Sequence, residues 1–265
     1  MMPFLKIGDC VHRYLDEGAK ELPALLLANS LGTDLSSWDD VAARLVDHFR
    51  VVRYDKRGHG LTDAPTPPYR VDDLAADVVG LLDHLKIGHA LVCGISVGGL
   101  VAQALALNHP ERVGALVLCD TGARIGTVVS WEQRIAAVRA SGLQGLESAM
   151  MERWFSKEFR ERRSVDVRGY SNMLVRTTVD GYIGTCYALR DTDFRQTVAR
   201  IKCRTLVLCG AQDIATPPEL GRELARLIPG AEFSLIENAG HLSCIEQPEE
   251  VTGRMAQFFR EVQVV

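Results

Sequence analysis

The chain is predicted to be an α/β protein with a mostly parallel, eight-stranded sheet flanked by helices. Short apolar runs of strand type alternate with stretches whose apolar residues recur at helical spacing. A length of 265 residues suits one such domain with an inserted subdomain. Residues 125–191 interrupt the alternation with helical patterns alone, which indicates that this segment is the insertion.

Eight segments have the composition of β-strands. The first two are joined at Gly8-Asp9, a hairpin signal, and Ala24–Ala28 is an uninterrupted apolar run typical of a strand buried on both faces. Helical stretches separate most of the later strands, so these are expected to pair in parallel. The predicted strands are residues 4–7, 10–16, 24–28, 50–54, 90–93, 113–119, 205–210 and 232–236.

Helical periods fill most of the remaining chain. The first predicted helix has Ser36 or Ser37 near its N-cap. Because a helical insertion between two strands covers the edge from which it leaves, residues 125–191 are predicted to be a lid over a core of residues 1–124 and 192–265. The predicted core helices are residues 38–46, 71–85, 96–108, 218–227 and 248–262, and the lid helices are 129–140, 146–155, 165–175 and 182–189.

Composition excludes several classes of protein. A net charge of −4 without a basic block argues against a nucleic-acid partner. No apolar run approaches the roughly 18 residues that span a bilayer, and the start lacks a signal-peptide core, so a cytoplasmic protein without membrane contact is expected. The seven irregularly spaced cysteines are interpreted as reduced core thiols, and no metal or other cofactor is expected. A monomer or small homo-oligomer is compatible with these features.

The most informative stretch is Gly94-Ile95-Ser96-Val97-Gly98, between a predicted strand and a predicted helix. This is the G-x-S-x-G pattern of a nucleophile elbow, in which a strained turn exposes the serine hydroxyl beside the first amides of the helix. Two other interpretations compete with it. In the first, Ser96 is an ordinary helix N-cap and the glycines only let the helix pack close to the strand. This interpretation stays open. A dinucleotide loop is excluded because G-x-G-x-x-G requires glycine at position 96.

Two further strand ends supply the partners that a serine nucleophile needs. Asp213 follows the strand at 205–210, and His241 follows the strand at 232–236. A histidine accepts the serine proton near neutral pH, and a carboxylate orients the imidazole and stabilises its charged form. Ser96, Asp213 and His241 are therefore the predicted catalytic residues. Asp120 also follows a strand and stays an alternative to Asp213.

A tetrahedral intermediate also needs two hydrogen-bond donors for its oxyanion. One is expected to be the backbone N–H of Val97, directly after the nucleophile. The other is expected to be the backbone N–H of Leu31, in the loop after the third strand. His59 is interpreted as part of a structural turn held by Asp55 and Arg57, not as a catalytic base.

These motifs together resemble the α/β-hydrolase superfamily over essentially the whole chain, including the order serine, acid, histidine. Within it the chain resembles bacterial 3-oxoadipate enol-lactonases, as three longer stretches indicate. Where that family often has Asn-Thr-Ala, this chain has Asp120-Thr121-Gly122, which adds an acid near the site. The three stretches are residues 29–38 (NSLGTDLSSW), 119–127 (CDTGARIGT) and 190–194 (RDTDF).

The resemblance implies a serine hydrolase that opens 3-oxoadipate enol-lactone to 3-oxoadipate through an acyl-enzyme, in the β-ketoadipate pathway of aromatic catabolism. The substrate would be a small anionic lactone whose carboxylate needs a cation, for which Arg134 on the first lid helix is the candidate. Trp131 and Trp154 are the other candidate substrate-binding residues. The alternatives are a general carboxylesterase, another lactonase or carbon–carbon hydrolase, a cofactor-free perhydrolase, and a non-catalytic ligand-binding relative.

Overall fold

The computed structural model of the protein describes residues 3–262, and its eight-stranded sheet confirms the predicted α/β-hydrolase fold class. The strand order is β1-β2-β4-β3-β5-β6-β7-β8. β2 pairs antiparallel with β1 and β4, whereas all other neighbours are parallel. The strands are β1 Phe4–Ile7, β2 Cys10–Glu17, β3 Ala24–Ala28, β4 Arg50–Tyr54, β5 Ala90–Ile95, β6 Val113–Cys119, β7 Arg204–Gly210 and β8 Glu232–Ile236.

Eleven α-helices accompany the sheet within residues 3–262. The helices that pack around the sheet are α1 Asp39–Leu45, α2 Val71–His84, α3 Val97–Asn108, α9 Pro218–Leu227, α10 Ser243–Glu246 and α11 Pro248–Glu261. Between β6 and β7 lie α4 Val128–Ser141, α5 Glu147–Trp154, α6 Lys157–Arg162, α7 Ser164–Arg176 and α8 Val179–Asp191, together called the lid helices here.

Three local elements, a 3₁₀ turn and two short helices, were not predicted. A 3₁₀ turn, Leu35–Trp38, precedes α1, and the Asp34 carboxylate caps this turn by accepting a hydrogen bond from the Ser36 amide. The N-cap of α1 is Trp38, so Ser36 and Ser37 lie near it as predicted, but neither side chain caps the helix. The short helices α6 and α10 were not predicted. α6 contains no buried residue, so it has no apolar stripe for a periodicity to reveal.

The core lies on both faces of the sheet. Leu25, Leu26 and Leu27 of β3 have at most 1% of their surface exposed, as expected for a strand covered by helices on either side. Because the central strands are parallel, their carboxyl ends meet at one edge, and the loops that leave it converge.

The lid helices are fastened to the core on two sides. On one side, α8 touches the loop after β4, where the Thr178 hydroxyl donates to the Gly58 carbonyl at 3.1 Å. On the other, the Leu242 amide donates to the Trp154 carbonyl at 3.0 Å. The division of the chain at residues 124 and 191 into core and lid stays a prediction.

Across residues 3–262, each helix is too short or too polar to cross a lipid bilayer.

Candidate active site

The turn between β5 and α3 holds Ser96 in a strained conformation. Its backbone has φ 58° and ψ −120°, which non-glycine residues seldom adopt. The neighbouring glycines permit this turn, because a Cβ on Gly94 would lie 2.1 Å from the Gly98 carbonyl oxygen and one on Gly98 would lie 2.3 Å from that of Ala28. The Ser96 hydroxyl makes no hydrogen bond within the described part of the chain, which an ordinary N-cap would do.

The two predicted oxyanion donors lie beside this turn. Leu31 lines the same cavity as Ser96, and Val97 is buried as the first residue of α3. Neither backbone N–H donates a hydrogen bond to another described residue. Two buried, unpaired amides next to a serine hydroxyl are the arrangement that stabilises an oxyanion.

Lys56, which the sequence interpretation missed, supports the loop that carries Leu31. Its ammonium group is buried and donates to the carbonyl oxygens of Ser30 and, at 3.3 Å, Thr33. Burial lowers the pKa of Lys56 to about 7, because the charged form has lost its water. The signal available in the sequence was the position of Lys56 itself, between Asp55 and Arg57 in the turn after β4.

His59 and its turn are structural. Asp55 accepts the amide hydrogens of Leu35 and Leu61, so this carboxylate does hold the turn as predicted. Arg57 instead forms a two-pronged ion pair with Asp77 of α2. Burial lowers the pKa of His59 well below its usual value.

The loops after β7 and β8 bring Asp213 and His241 together. His241 Nδ1 lies 2.9 Å from Asp213 Oδ2. The amides of Ala215 and Thr216 donate to the other carboxylate oxygen at 2.7 and 2.9 Å, and the Thr216 hydroxyl lies 2.6 Å from Asp213 Oδ2. The carboxylate is therefore fixed by four donors, and it in turn orients the imidazole.

The pKa values of Asp213 and His241 reflect this geometry. Burial alone would raise the pKa of Asp213, but His241 and the hydrogen bonds from Thr216 hold it below its usual range. Burial alone would lower the pKa of His241, but the Asp213 carboxylate raises it above 6.5. Asp213 is therefore an ionised carboxylate that stabilises the protonated imidazole of His241.

Ser96 and His241 line the same cavity but do not bond directly. No hydrogen bond within 3.5 Å joins the Ser96 hydroxyl to the imidazole in the described structure. Catalytic hydrogen bonds are often long before substrate binds and tighten in the complex, so this spacing is compatible with proton transfer.

Asp120, the alternative acid, lies behind Asp213 instead of on the imidazole. Its carboxyl group bonds the Gly210 amide at 2.7 Å and the Ser243 hydroxyl. Burial and the neighbouring Asp213 carboxylate raise the pKa of Asp120 to about 8. At neutral pH it is therefore an uncharged group that ties β6 to the segments carrying the other two residues.

A cavity of about 150 Å³ opens above Ser96 and His241 and is roofed by side chains of the lid helices. All three candidate substrate-binding residues, Trp131, Arg134 and Trp154, line it. Trp131 is fixed by its indole N–H, which donates to the Ile125 carbonyl at 2.7 Å. Trp154 is only 1% exposed, so it packs as a core residue and presents one edge to the cavity.

The cavity also contains Arg153, which the sequence interpretation missed. Arg153 is half-buried in the last turn of α5, next to Trp154. The available signal was the lack of an acidic residue three or four positions away on either side, which leaves this arginine without a helical ion-pair partner.

The chelating atoms of Asp120, Cys209 and Asp213 lie within 4.8 Å of one another. Both carboxyl groups are already engaged in the hydrogen bonds described above, and burial raises the pKa of the Cys209 thiol. This cluster therefore acts as a hydrogen-bonded part of the site, and we assign it no metal.

Comparison with known proteins shows the family of this chain. The family model described as alpha/beta hydrolase fold matches residues 23–248. 3-oxoadipate enol-lactonase 2 of Acinetobacter baylyi is 39% identical over 245 residues, covering 92% of this chain and 91% of that protein.

Two solved structures are also similar. The enol-lactonase from Burkholderia xenovorans LB400 superposes with a TM-score of 0.95 and 39% identity, covering 97% of this chain and 100% of the other. A thermophilic esterase from Thermogutta terrifontis, solved with malate bound, has a TM-score of 0.91 and 29% identity, with 98% and 97% of the two chains covered.

Proposed function

This chain belongs to the alpha/beta hydrolase family and is a hydrolase of lactones and esters, and from that premise we propose that it opens 3-oxoadipate enol-lactone to 3-oxoadipate. The proposed reaction passes through an acyl-enzyme on Ser96, with His241 as the base and Asp213 as its partner. Its place would be the β-ketoadipate pathway of aromatic catabolism.

The observation that supports an anionic substrate is the state of Arg134. Its guanidinium bonds the Tyr182 hydroxyl at 3.2 Å and contacts the Met150 sulfur, and no described carboxylate lies within 4.0 Å of it. A half-buried cation whose partners are all uncharged has lost part of its hydration without gaining a counter-charge, and an anion compensates for that loss. The lactone's carboxymethyl arm supplies that anion, and the malate-bound relative shows an acidic ligand in a protein of this fold.

In the first half of the proposed reaction, His241 takes the proton of the Ser96 hydroxyl as its oxygen attacks the ring carbonyl. The amides of Leu31 and Val97 stabilise the resulting oxyanion. The ring C–O bond then breaks, the ring oxygen leaves as an enolate, and this group takes up the proton that the imidazolium releases and becomes the ketone, which returns His241 to its neutral form. The acyl chain stays bound to Ser96 through an ester.

In the second half, His241 removes a proton from water, whose oxygen attacks the ester carbonyl. The same amides hold the second oxyanion. When the tetrahedral intermediate collapses, Ser96 regains its proton from the imidazolium, and the chain leaves as a carboxylic acid that loses its proton to solvent and becomes a new carboxylate. An enolate is a better leaving group than an ordinary alkoxide, so acylation needs little help from an acid.

Replacing Arg134 with methionine tests the substrate directly. Loss of a charge-assisted hydrogen bond is expected to raise KM for the enol-lactone by about 10- to 100-fold, while kcat/KM for neutral p-nitrophenyl acetate changes by less than about 3-fold. The measurement is steady-state kinetics with both substrates on both proteins.

Arg139→Met is the matched control, because Arg139 lies on the same helix but bonds the Tyr187 hydroxyl on the outside of the lid. It should leave both substrates unaffected. Equal effects of Arg134→Met on lactone and ester would contradict anion recognition by Arg134. An unmodified protein that hydrolyses the ester but not the lactone would refute the proposed substrate and favour a general carboxylesterase.

A further inference from the structure

Arg153 is a second cation in the cavity above Ser96. It lines the cavity together with Arg134 and His241. It forms no ion pair within 4.0 Å with any described residue, and no hydrogen bond from its guanidinium is found in the part of the chain that the structure covers. Other lid arginines, such as Arg162 and Arg168, have a carboxylate partner at 2.7 and 2.9 Å.

The two cavity arginines repel each other. Burial and then the charge of Arg134 lower the pKa of Arg153, and Asp213 is the acidic group that offsets this most. Asp213 is already paired with His241 at 2.9 Å. Within residues 3–262 no acidic side chain lines the cavity, so its two guanidinium groups have no counter-ion there, an arrangement that an anionic ligand relieves.

Arg153 lies one residue before Trp154, whose carbonyl accepts the amide hydrogen of Leu242, directly after His241, at 3.0 Å. The positive charge of Arg153 opposes the effect of the Asp213 carboxylate and lowers the pKa of His241. Arg134 instead contacts Tyr182 and Met150 of the lid helices. Arg153 is therefore the cation beside the segment that carries His241, whereas Arg134 is bonded to residues of the lid helices.

We propose that Arg134 and Arg153 together form a binding site for dicarboxylates, in which Arg153 takes the carboxylate that hydrolysis creates. This inference deepens the proposed function and rests on it for the identity of the natural ligand. The lactone carries one carboxylate, which Arg134 binds. Ring opening and deacylation place a second carboxylate between Ser96 and His241, within the field of Arg153.

The consequence is a product that binds more tightly than the substrate. A six-carbon dicarboxylate engages both arginines, whereas a six-carbon monocarboxylate engages only one at a time. The protein is therefore inhibited by its own product and by saturated dicarboxylates of similar length.

Isothermal titration calorimetry with adipate and hexanoate at pH 7.5 tests the site without requiring turnover. Adipate is expected to bind the unmodified protein at least about 10-fold more tightly than hexanoate, since the second charge-assisted contact adds to the first. Arg153→Met should remove most of that preference while changing hexanoate affinity little. Arg153→Lys, which keeps the charge, should retain part of it. Arg134→Met should weaken both ligands.

Arg162→Met is the control for loss of a lid arginine, because its side chain is 77% exposed and paired with Glu158. It should bind both acids like the unmodified protein. Equal affinity for adipate and hexanoate in the unmodified protein would overturn the proposal. An equal loss of affinity for adipate and hexanoate in Arg153→Met would also overturn it, because the two arginines would then bind the same carboxylate. Adipate preference without lactone turnover would refute the proposed function instead.

Discussion

Ser96→Ala is expected to lower kcat/KM for p-nitrophenyl acetate and for the enol-lactone by roughly 10⁴- to 10⁶-fold, as loss of a serine nucleophile does in hydrolases of this chemistry. The alanine removes the attacking oxygen and leaves the elbow, the amides of Leu31 and Val97, and His241 in place. The residual rate then reports binding and oxyanion stabilisation alone. Steady-state kinetics with the purified variant measures it.

Ser130→Ala is the matched control. Ser130 lines the same cavity, and its hydroxyl accepts the amide hydrogen of Thr127 at the start of α4 at 2.9 Å, without touching the reacting groups. Its loss should cost less than about 10-fold in activity, together with a modest loss of helix stability. An organophosphate should label the unmodified protein and the control at Ser96 but leave Ser96→Ala unlabelled. Labelled or active Ser96→Ala protein would show that another residue is the nucleophile.

Asp213→Asn is expected to lower kcat by roughly 10⁴-fold, because an amide at this position favours the wrong imidazole tautomer and withdraws the charge that stabilises the imidazolium. Asp120→Asn provides the comparison. An asparagine can still accept from the Gly210 amide and donate to the Ser243 hydroxyl, and it replaces a carboxyl group that is uncharged at neutral pH. We expect Asp120→Asn to lower kcat at pH 7 by less than about 10-fold. The reverse order of effects would make Asp120 the catalytic acid.

Asp213→Asn should also change the pH dependence of activity. The Asp213 carboxylate raises the pKa of His241 above 6.5, so the imidazole gains its proton at a higher pH than an ordinary histidine. Activity of the unmodified protein should fall as pH drops through that raised value, because the imidazolium cannot accept the Ser96 proton. In Asp213→Asn the acid limb should move to lower pH. An unchanged limb would mean that the titrating base is not partnered by Asp213.

Much of the fold was predictable because local pattern and tertiary environment agree. β3 reads as a buried strand and has that role, and the predicted helix at 218–227 has the bounds of α9. The elements that were not predicted are those whose formation depends on distant residues or on one side-chain contact. α6 is too polar to show a stripe, and the 3₁₀ turn before α1 depends on the Asp34 carboxylate reaching one particular amide.

The candidate site divides in the same way. Ser96, Asp213 and His241 were predictable because parallel strands deliver their following residues to one edge, so position after a strand already implies proximity. Lys56 and Arg153 were not, because their significance depends on tertiary surroundings. Lys56 bonds carbonyls more than twenty positions away, and Arg153 matters because no carboxylate of residues 3–262 lies within 4.0 Å of its guanidinium. Neither fact is local in the sequence.

The most direct test of the proposed mechanism is rapid-quench mass spectrometry of the unmodified protein during turnover of 3-oxoadipate enol-lactone. Because the departing enolate stays attached to the acyl chain, the acyl-enzyme should carry the mass of the whole lactone on the peptide that contains Ser96. It should accumulate, since attack by water is harder than expulsion of an enolate. Lactone consumption without this adduct, or with the adduct on another residue, would contradict nucleophilic catalysis by Ser96.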